Sequence, residues 1–112
     1  MVSLTLNKNS VQGDKSAATP GGVRIGTSSL TSRSMREPEM VTVASFLARA
    51  VDLAVQAQKE AGTKQLADFL RVLNGDGEVA KAVSQLHADV EKFATSYPLP
   101  GIPDSSKIKA VV

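Results

Sequence analysis

The chain lacks cysteine and tryptophan, contains a single histidine and is poor in aromatic residues. Without cysteine it can form neither a disulfide scaffold nor a thiolate metal site, and His87 has no second histidine with which to bind zinc. An aromatic content of 4% supplies a poor stacking platform for single-stranded nucleic acid. No apolar run approaches the roughly 18–20 residues that a membrane helix needs. We therefore expect no metal site and no membrane partner.

What is present is a small chain of 112 residues whose charge is unevenly divided. Residues 1–36 carry five basic side chains and one acidic side chain, whereas residues 37–112 carry eight basic and ten acidic ones. The basic residues of the first part are spread singly and do not form the clustered patch typical of nucleic-acid binding. We expect no nucleic-acid partner, but the positive first part could bind a small anion.

Three helices are predicted in residues 37–97, because apolar residues recur there at three- and four-residue spacing. The first runs from about Pro38 to Ala61, with a stripe formed by Met40, Val43, Ala44, Leu47, Ala50, Val51 and Ala54. Thr63 is predicted to cap a short second helix that carries Leu66, Phe69, Leu70 and Leu73. The third runs from about Glu78 to Ser96, with a stripe formed by Val79, Ala82, Val83, Leu86, Val90, Phe93, Ala94 and Tyr97.

Two short strands are predicted in residues 1–36, one where Val2, Leu4 and Leu6 alternate with polar neighbours and one where Val23 and Ile25 flank Arg24. Two such strands do not make an independently stable sheet, so we expect other polypeptide to complete it. The predicted fold class is α+β, a short two-stranded antiparallel element plus three helices. Residues 104–112 are expected to form a flexible tail.

Several short strings carry a family resemblance. In chain order they are Asn7-Lys8-Asn9, Gly13-Asp14-Lys15-Ser16-Ala17, Pro20-Gly21-Gly22-Val23-Arg24-Ile25-Gly26-Thr27, Leu30-Thr31-Ser32-Arg33 and Phe93-Ala94-Thr95-Ser96-Tyr97-Pro98-Leu99-Pro100-Gly101. This series resembles the C-terminal part of the small domain of serine hydroxymethyltransferase, also called glycine hydroxymethyltransferase. The resemblance covers residues 1–103, with 1–36 as the strand and loop segment of the site and 37–97 as a helical body.

The resemblance implies the aspartate-aminotransferase-like fold of fold type I pyridoxal-phosphate enzymes. The family interconverts serine and glycine and transfers the one-carbon unit to tetrahydrofolate, so pyridoxal phosphate is the implied cofactor and tetrahydrofolate the implied co-substrate. The lysine that forms the Schiff base belongs to the family's large domain, so this chain alone is expected to be inactive and to hold no catalytic residue. The implied partners are the remainder of a serine hydroxymethyltransferase chain or a full-length homologue, together with serine, glycine and folate.

Site residues are carried over from the resemblance position by position. Arg24 matches the family arginine that binds the substrate carboxylate, a role suited to the guanidinium fork. Asn9 matches a residue that contacts the pteridine ring of folate, and the stretch Ser16, Ala17 and Ala18 matches a segment lining the folate site. The competing interpretations are an exposed strand arginine for Arg24 and ordinary turn chemistry for the others.

Other charged residues are predicted to have structural roles. His87 is expected to be a surface or boundary residue of the third helix. Arg33 and Arg36 are expected to form surface ion pairs or to line the positive edge of the site.

The chain departs from the family pattern near the site, with Gln12 for Pro, Ser28-Ser29 for Pro-Ala and Ser34 for Gly. A serine in place of glycine strains any left-handed backbone position. These departures favour an alternative function, that of a truncated non-catalytic relative acting as an interaction module on a full-length enzyme or another partner. No basic region followed by an apolar stretch opens the chain, so a cytoplasmic location is expected, with an organelle open if the natural start lies upstream.

Overall fold

The structure is a computed structural model that describes residues 1–102. Its elements in chain order are β1 (Asn7–Asn9), β2 (Gly22–Arg24), α1 (Ser28–Ser32), α2 (Glu37–Ala61), α3 (Leu66–Leu73) and α4 (Glu78–Thr95). The described part is therefore α+β, with one two-stranded antiparallel sheet and four helices, one more helix than predicted. The predicted tail at residues 104–112 lies outside the described residues.

Helix α2 begins and ends within one residue of the prediction. Glu39 turns back at its start and accepts a hydrogen bond from the Arg36 N–H at 2.7 Å, while Pro38 occupies the first turn. At its end Gly62 adopts a left-handed φ of 68° and donates to the Gln58 carbonyl at 3.2 Å. Such a backbone conformation suits glycine, which is why the helix ends there.

Helices α2, α3 and α4 enclose two adjoining core clusters. One is formed by Phe46, Leu86 and Val90, and the other by Ala57, Val79 and Val83. The predicted stripe of α4 is confirmed, since four of its members are buried, namely Val79, Val83, Leu86 and Val90. Most of the free energy of burial in the described chain therefore comes from the helices.

The predicted buried face of α2 is partly wrong. Val51 is 61% exposed and Ala44 and Ala54 are also exposed, whereas Phe46 and Ala57 are buried. Helix α2 carries apolar residues on two adjacent stripes, and the bulkier Phe46 packs edge-on against Phe93 of α4, with ring centroids 5.5 Å apart. This aromatic contact explains why the stripe that contains Phe46 is the buried one, which the periodicity of the sequence alone does not determine.

Thr63 is not the cap of α3, although its hydroxyl lies near the helix start. The N-cap position is held by Gln65, whose N–H donates to the Thr63 hydroxyl at 3.4 Å. That hydroxyl in turn donates to the Asp68 carboxylate at 2.6 Å. The threonine thus orders the residues before α3 from two positions upstream, which corrects the predicted register of the cap.

The predicted first strand is also wrong. Val2 and Leu4 pack against the helical core, and strand β1 begins only at Asn7. A segment with alternating apolar residues can bury every second side chain either in a sheet or in a groove between helices. In this chain the segment lies in the helical groove. The second strand is confirmed near its predicted position, because β2 contains Val23 and Arg24.

Helix α1, which the sequence analysis did not predict, is a single short turn of five residues that connects the sheet to the helical body. Ser34 follows it with a φ of 69°, so this serine occupies a left-handed backbone position, where a serine in place of glycine is predicted to be strained. Met35 comes next and is buried at 2% exposure. The left-handed turn at Ser34 thus leads the chain from α1 into the core.

By length and composition alone, α2 could cross a membrane, which corrects the expectation that no segment is apolar enough. Residues 40–57 contain only Arg49 and Asp52 as charged residues. The same helix buries Phe46 and Ala57 against its neighbours, and a core helix of a water-soluble protein passes the same test. The observation is accordingly weak evidence for membrane insertion.

Candidate functional site

Strands β1 and β2 form a two-stranded ribbon, defined here as residues 7–9 and 22–24. They pair antiparallel with Asn7 opposite Arg24 and Asn9 opposite Gly22. Because side chains alternate along a strand, Asn7, Asn9 and Arg24 share one face of the ribbon. Arg24 and Asn9 are then diagonal neighbours, a spacing of about 7–8 Å between paired strands. The register thus brings together two of the residues carried over from the family resemblance.

Arg24 is exposed on this face. Within residues 1–102 its guanidinium takes part in none of the ion pairs, which join Arg49, Arg71, Lys81 and His87 to carboxylates. A guanidinium presents two parallel N–H donors that match both oxygens of a carboxylate. The arrangement leaves Arg24 able to bind an anion from outside the described chain.

Asn9 is exposed beside it, and its amide nitrogen donates to the Ser10 carbonyl at 2.9 Å. This local bond orients the carboxamide and leaves its oxygen as an acceptor for a further donor. Asn7 makes the equivalent bond to the Lys8 carbonyl at 3.2 Å. Two carboxamides and one guanidinium therefore form a polar surface without a buried charge.

The loop between the strands carries Ser16, Ala17 and Ala18, all of them exposed. The Ser16 hydroxyl accepts from the Ala18 N–H at 3.2 Å, and the Thr19 N–H donates to the Ser16 carbonyl at 3.3 Å. This is the local turn chemistry that the competing interpretation expected. It does not exclude a ligand, because exposed turn atoms remain accessible.

Asp14 organises the same loop, a role that was not predicted from the sequence. One of its carboxylate oxygens accepts from the N–H of Val11 at 2.9 Å and from the N–H of Gly21 at 3.0 Å. These hydrogen bonds, the one from Gly21 being the stronger cause, lower the pKa of Asp14 below its ordinary value of 3.8. The signal available in the sequence was an aspartate beside a glycine in a turn-rich stretch.

Arg33 has a different role from the one predicted. Its guanidinium donates to the carbonyls of Ala94, Tyr97 and Pro98, the last two at 3.2 Å. A cation at the C-terminal end of a helix is favoured both by the free carbonyls and by the helix dipole. In the described chain Arg33 therefore caps α4 and forms no ion pair.

Arg36 and His87 also have structural roles in the helical body. The Arg36 backbone caps α2 through Glu39, as described above. His87 is half-exposed on α4, as predicted, with one ring nitrogen 3.1 Å from the Ser3 hydroxyl and the other 3.1 Å from Glu91. Neither residue lies on the ribbon.

The described residues do not fit a pyridoxal-phosphate site. A Schiff-base lysine needs a desolvated amine, whereas every lysine in residues 1–102 is exposed, namely Lys8, Lys15, Lys59, Lys64, Lys81 and Lys92. The same residues contain no group of three or more His, Asp or Glu side chains that could hold a metal ion. Covalent chemistry on the cofactor therefore cannot be assigned to these side chains.

Comparison with known proteins places this chain in a family. The family model of serine hydroxymethyltransferase matches residues 1–47, which include the ribbon and its loop. Serine hydroxymethyltransferase 4 of Arabidopsis thaliana is 48% identical over 101 residues, covering 90% of this chain and 20% of the relative. The cytosolic enzyme of Oryctolagus cuniculus is 44% identical, covering 90% and 21%, respectively. The chain belongs to the serine hydroxymethyltransferase family.

The match extends beyond the ribbon but not over a whole relative. A chloroplastic serine hydroxymethyltransferase of Arabidopsis thaliana is 42% identical over 103 residues, which are 91% of this chain and 20% of that relative. The chain thus spans about a fifth of the length of the serine hydroxymethyltransferases it matches. Their names assign them to the cytosol, the chloroplast and the mitochondrion, so membership in the family does not fix one compartment.

Proposed function

We propose that this chain is a C-terminal small-domain segment of a serine hydroxymethyltransferase, spanning residues 1–103, that contributes substrate and folate contacts to the interconversion of serine and glycine. Arg24 binds the carboxylate of the amino acid, and Asn9 and the stretch 16–18 contact folate. The observation that carries the proposal is the exposed polar face of the ribbon, on which Arg24 has no ion-pair partner within residues 1–102 and Asn9 lies diagonal to it.

The role of Arg24 is to orient the amino acid. A bidentate pair fixes the position of the carboxylate, and so limits rotation about the bond between the α-carbon and its nitrogen. That rotation decides which bond of the α-carbon is presented for cleavage. Pyridoxal phosphate, held by the remainder of the enzyme, supplies the electron sink. The chain itself binds and orients, and it transfers no proton.

The partner in this proposal is the remainder of a serine hydroxymethyltransferase chain or a full-length homologue. Apolar side chains near the ribbon support it, since Val11, Val23 and Ile25 are each about half exposed, with Val23 at 55%. A ribbon of two three-residue strands is also too short to be stable alone. Both features are explained by a second polypeptide surface that covers the ribbon. A cytoplasmic location is proposed with it, in line with the cytosolic relative.

Complementation tests the proposal. The chain is mixed with a polypeptide that supplies the remaining part of a family enzyme, and cleavage of serine to glycine is measured in the presence of pyridoxal phosphate and tetrahydrofolate. We expect activity to be restored, to be abolished by Arg24→Ala, and to show a KM for serine raised about ten- to a hundredfold by Arg24→Lys, which keeps the charge but loses the fork. Arg71→Ala is the matched control, because Arg71 is exposed on α3 and its ion pair within residues 1–102 is with Asp68, three residues away.

The alternative function is a non-catalytic interaction module, favoured by the strained Ser34 that stands where the family pattern has glycine. It predicts that the chain binds the enzyme portion without restoring activity, or that activity is indifferent to Arg24→Ala. Either result would overturn the proposed site. Sedimentation of the mixture separates failure to bind from binding without activity.

A further inference from the structure

The loop of residues 10–21, which joins the two strands of the ribbon, is closed by one carboxylate. Asp14 accepts the N–H of Val11 just after β1 and the N–H of Gly21 just before β2, on the same oxygen atom. The Asp14 N–H also donates to the Val11 carbonyl at 3.1 Å. The beginning and the end of the loop are thus tied to a single side chain, which we name the Asp14 clamp.

The clamp requires glycine at its far end. A Cβ atom at position 21 would lie 2.6 Å from one carboxylate oxygen of Asp14, closer than a side chain can approach. Gly22 is similarly confined, because a Cβ atom there would collide with the Val11 side chain. Gly21 therefore lets the chain pass closely to Asp14, and Gly22 lets it pass closely to Val11, whose N–H is the other donor to the clamp.

The exposed stretch Ser16–Ala18 lies between the two points that the clamp joins. The hydrogen bonds within this stretch form a turn, and none of them joins it to a strand or a helix of the described chain. Among the hydrogen bonds of the described chain, those of the clamp join the two ends of the loop that carries this turn. An untied loop of this length would sample many conformations, and a ligand would have to order it at a cost in affinity.

We infer that Asp14 is a positioning residue for the folate contacts, which holds Ser16–Ala18 beside Asn9 without touching folate itself. The inference rests on the proposed function, because that function assigns folate to these residues. The carboxylate is ionised at neutral pH, and the two hydrogen bonds lower its pKa further. An ionised carboxylate accepts both N–H groups more strongly than a neutral acceptor does.

The clamp is separable from the stability of the helical body. Neither strand of the ribbon packs against any helix within the described chain, whereas α2, α3 and α4 pack on one another. A change at Asp14 should therefore leave helix unfolding unaltered. Affinity for glycine, which depends on Arg24 in the paired strand, should also change little.

The experiment measures the clamp and its consequence separately. Amide proton shifts of Val11 and Gly21 are recorded on the 112-residue chain by nuclear magnetic resonance. Dissociation constants for 5-formyltetrahydrofolate and for glycine are then measured on the chain combined with the remaining part of a family enzyme and pyridoxal phosphate. The variants are Asp14→Ala, Asp14→Asn and Gly21→Ala.

Two substitutions outside the clamp serve as matched controls. Asp76→Ala removes an exposed aspartate between α3 and α4, and Gly77→Ala adds a Cβ atom that would meet nothing within 4 Å. Both should leave the amide shifts and the folate affinity unchanged. They distinguish the clamp from a general effect of removing a carboxylate or a glycine.

We expect Asp14→Ala and Gly21→Ala to move both amide protons upfield and to weaken folate binding about tenfold, with glycine binding and the thermal unfolding of the helices unchanged. Asp14→Asn should bind folate more tightly than Asp14→Ala does, because the amide oxygen can still accept hydrogen bonds from the two N–H groups. Unchanged amide shifts in Asp14→Ala, or folate binding that is equally tight in the variants, would overturn the positioning role of Asp14. The proposed function would not be affected by either result. If the unmodified complex binds no folate, the proposed function fails and the positioning role fails with it, even where the shifts show the clamp intact.

Discussion

Replacing Ser34 with glycine should stabilise the chain. Ser34 is exposed and has a φ of 69°, and its N–H donates to the Thr31 carbonyl at 3.0 Å, a bond that glycine retains. A residue with a Cβ atom loses roughly 1–2 kcal/mol in the left-handed region. Replacing serine with glycine removes this cost, but about 0.5–1 kcal/mol of the gain is offset because the unfolded chain has a greater entropy with glycine. Ser34→Gly should therefore raise the free energy of unfolding by about 0.5–1 kcal/mol.

Thermal unfolding followed by circular dichroism at 222 nm, a wavelength that reports helix, measures the effect. A gain of this size raises Tm by about 2–4 °C in a chain of this length. Ser84→Gly is the matched control, because Ser84 is exposed inside α4, where glycine costs roughly 0.5 kcal/mol relative to serine. The two Ser→Gly changes should shift Tm in opposite directions. A lower Tm for both would refute the assignment of strain to Ser34.

Two further predictions concern the contacts that hold the helices. Arg33→Met should lower the free energy of unfolding by about 1–3 kcal/mol in urea titrations, because it removes the guanidinium donor to three carbonyls at and just beyond the end of α4. Arg71→Met on exposed α3 should cost less than about 0.5 kcal/mol. Arg49, 2.9 Å from Asp89, is the main cause of the lowered pKa of that carboxyl. The ion pair between Arg49 and Asp89 therefore stabilises the fold above pH 3.8, and this contribution is lost as the pH falls through the lowered pKa of Asp89. Asp89→Asn should flatten this acid-side loss in unfolding curves recorded between about pH 5 and 2, and an unchanged slope would contradict it.

The helical body could be predicted from sequence because its signals are local. Proline and acidic residues mark the start of α2, Gly62 marks its end, and the stripe of α4 leads to the residues that are buried. The inward face of α2 was harder, since two apolar stripes compete on it. The contact between Phe46 and Phe93 decides between them, and it joins residues that lie far apart along the chain.

The first residues show where a local pattern is ambiguous. Val2 and Leu4 have the alternation of a strand, yet they pack on helices that begin more than thirty residues later. Nothing within residues 1–6 distinguishes a strand from an extended segment lying in a helical groove. The strain at Ser34, by contrast, was predicted from a single residue, because a glycine position in the family pattern specifies a backbone conformation.

The residues of the candidate site stay a prediction from the family resemblance, whereas the connections between them come from the structure. Motif resemblance pointed to Arg24 and Asn9, and the strand register then explains why they share a face. It did not point to Asp14, whose two partners are backbone N–H groups and therefore leave no trace in side-chain chemistry. Hydrogen bonds to the backbone depend on how the loop closes, which composition does not encode.

The separation of ribbon and helices bears on how the site could work. Since neither strand packs on a helix, the two parts are linked by the residues on either side of the ribbon. Before β1, Val2 and Leu4 pack on the helical core, and after β2 the connection containing α1 is tied to the end of α4 by Arg33. A ribbon held in this way can be placed by whichever surface covers its apolar side chains, while the helical core keeps its own packing. In the proposed function, Arg24 and Asn9 acquire their working geometry when the covering polypeptide fixes the ribbon, because the helices contact only the segments that flank it in the described chain.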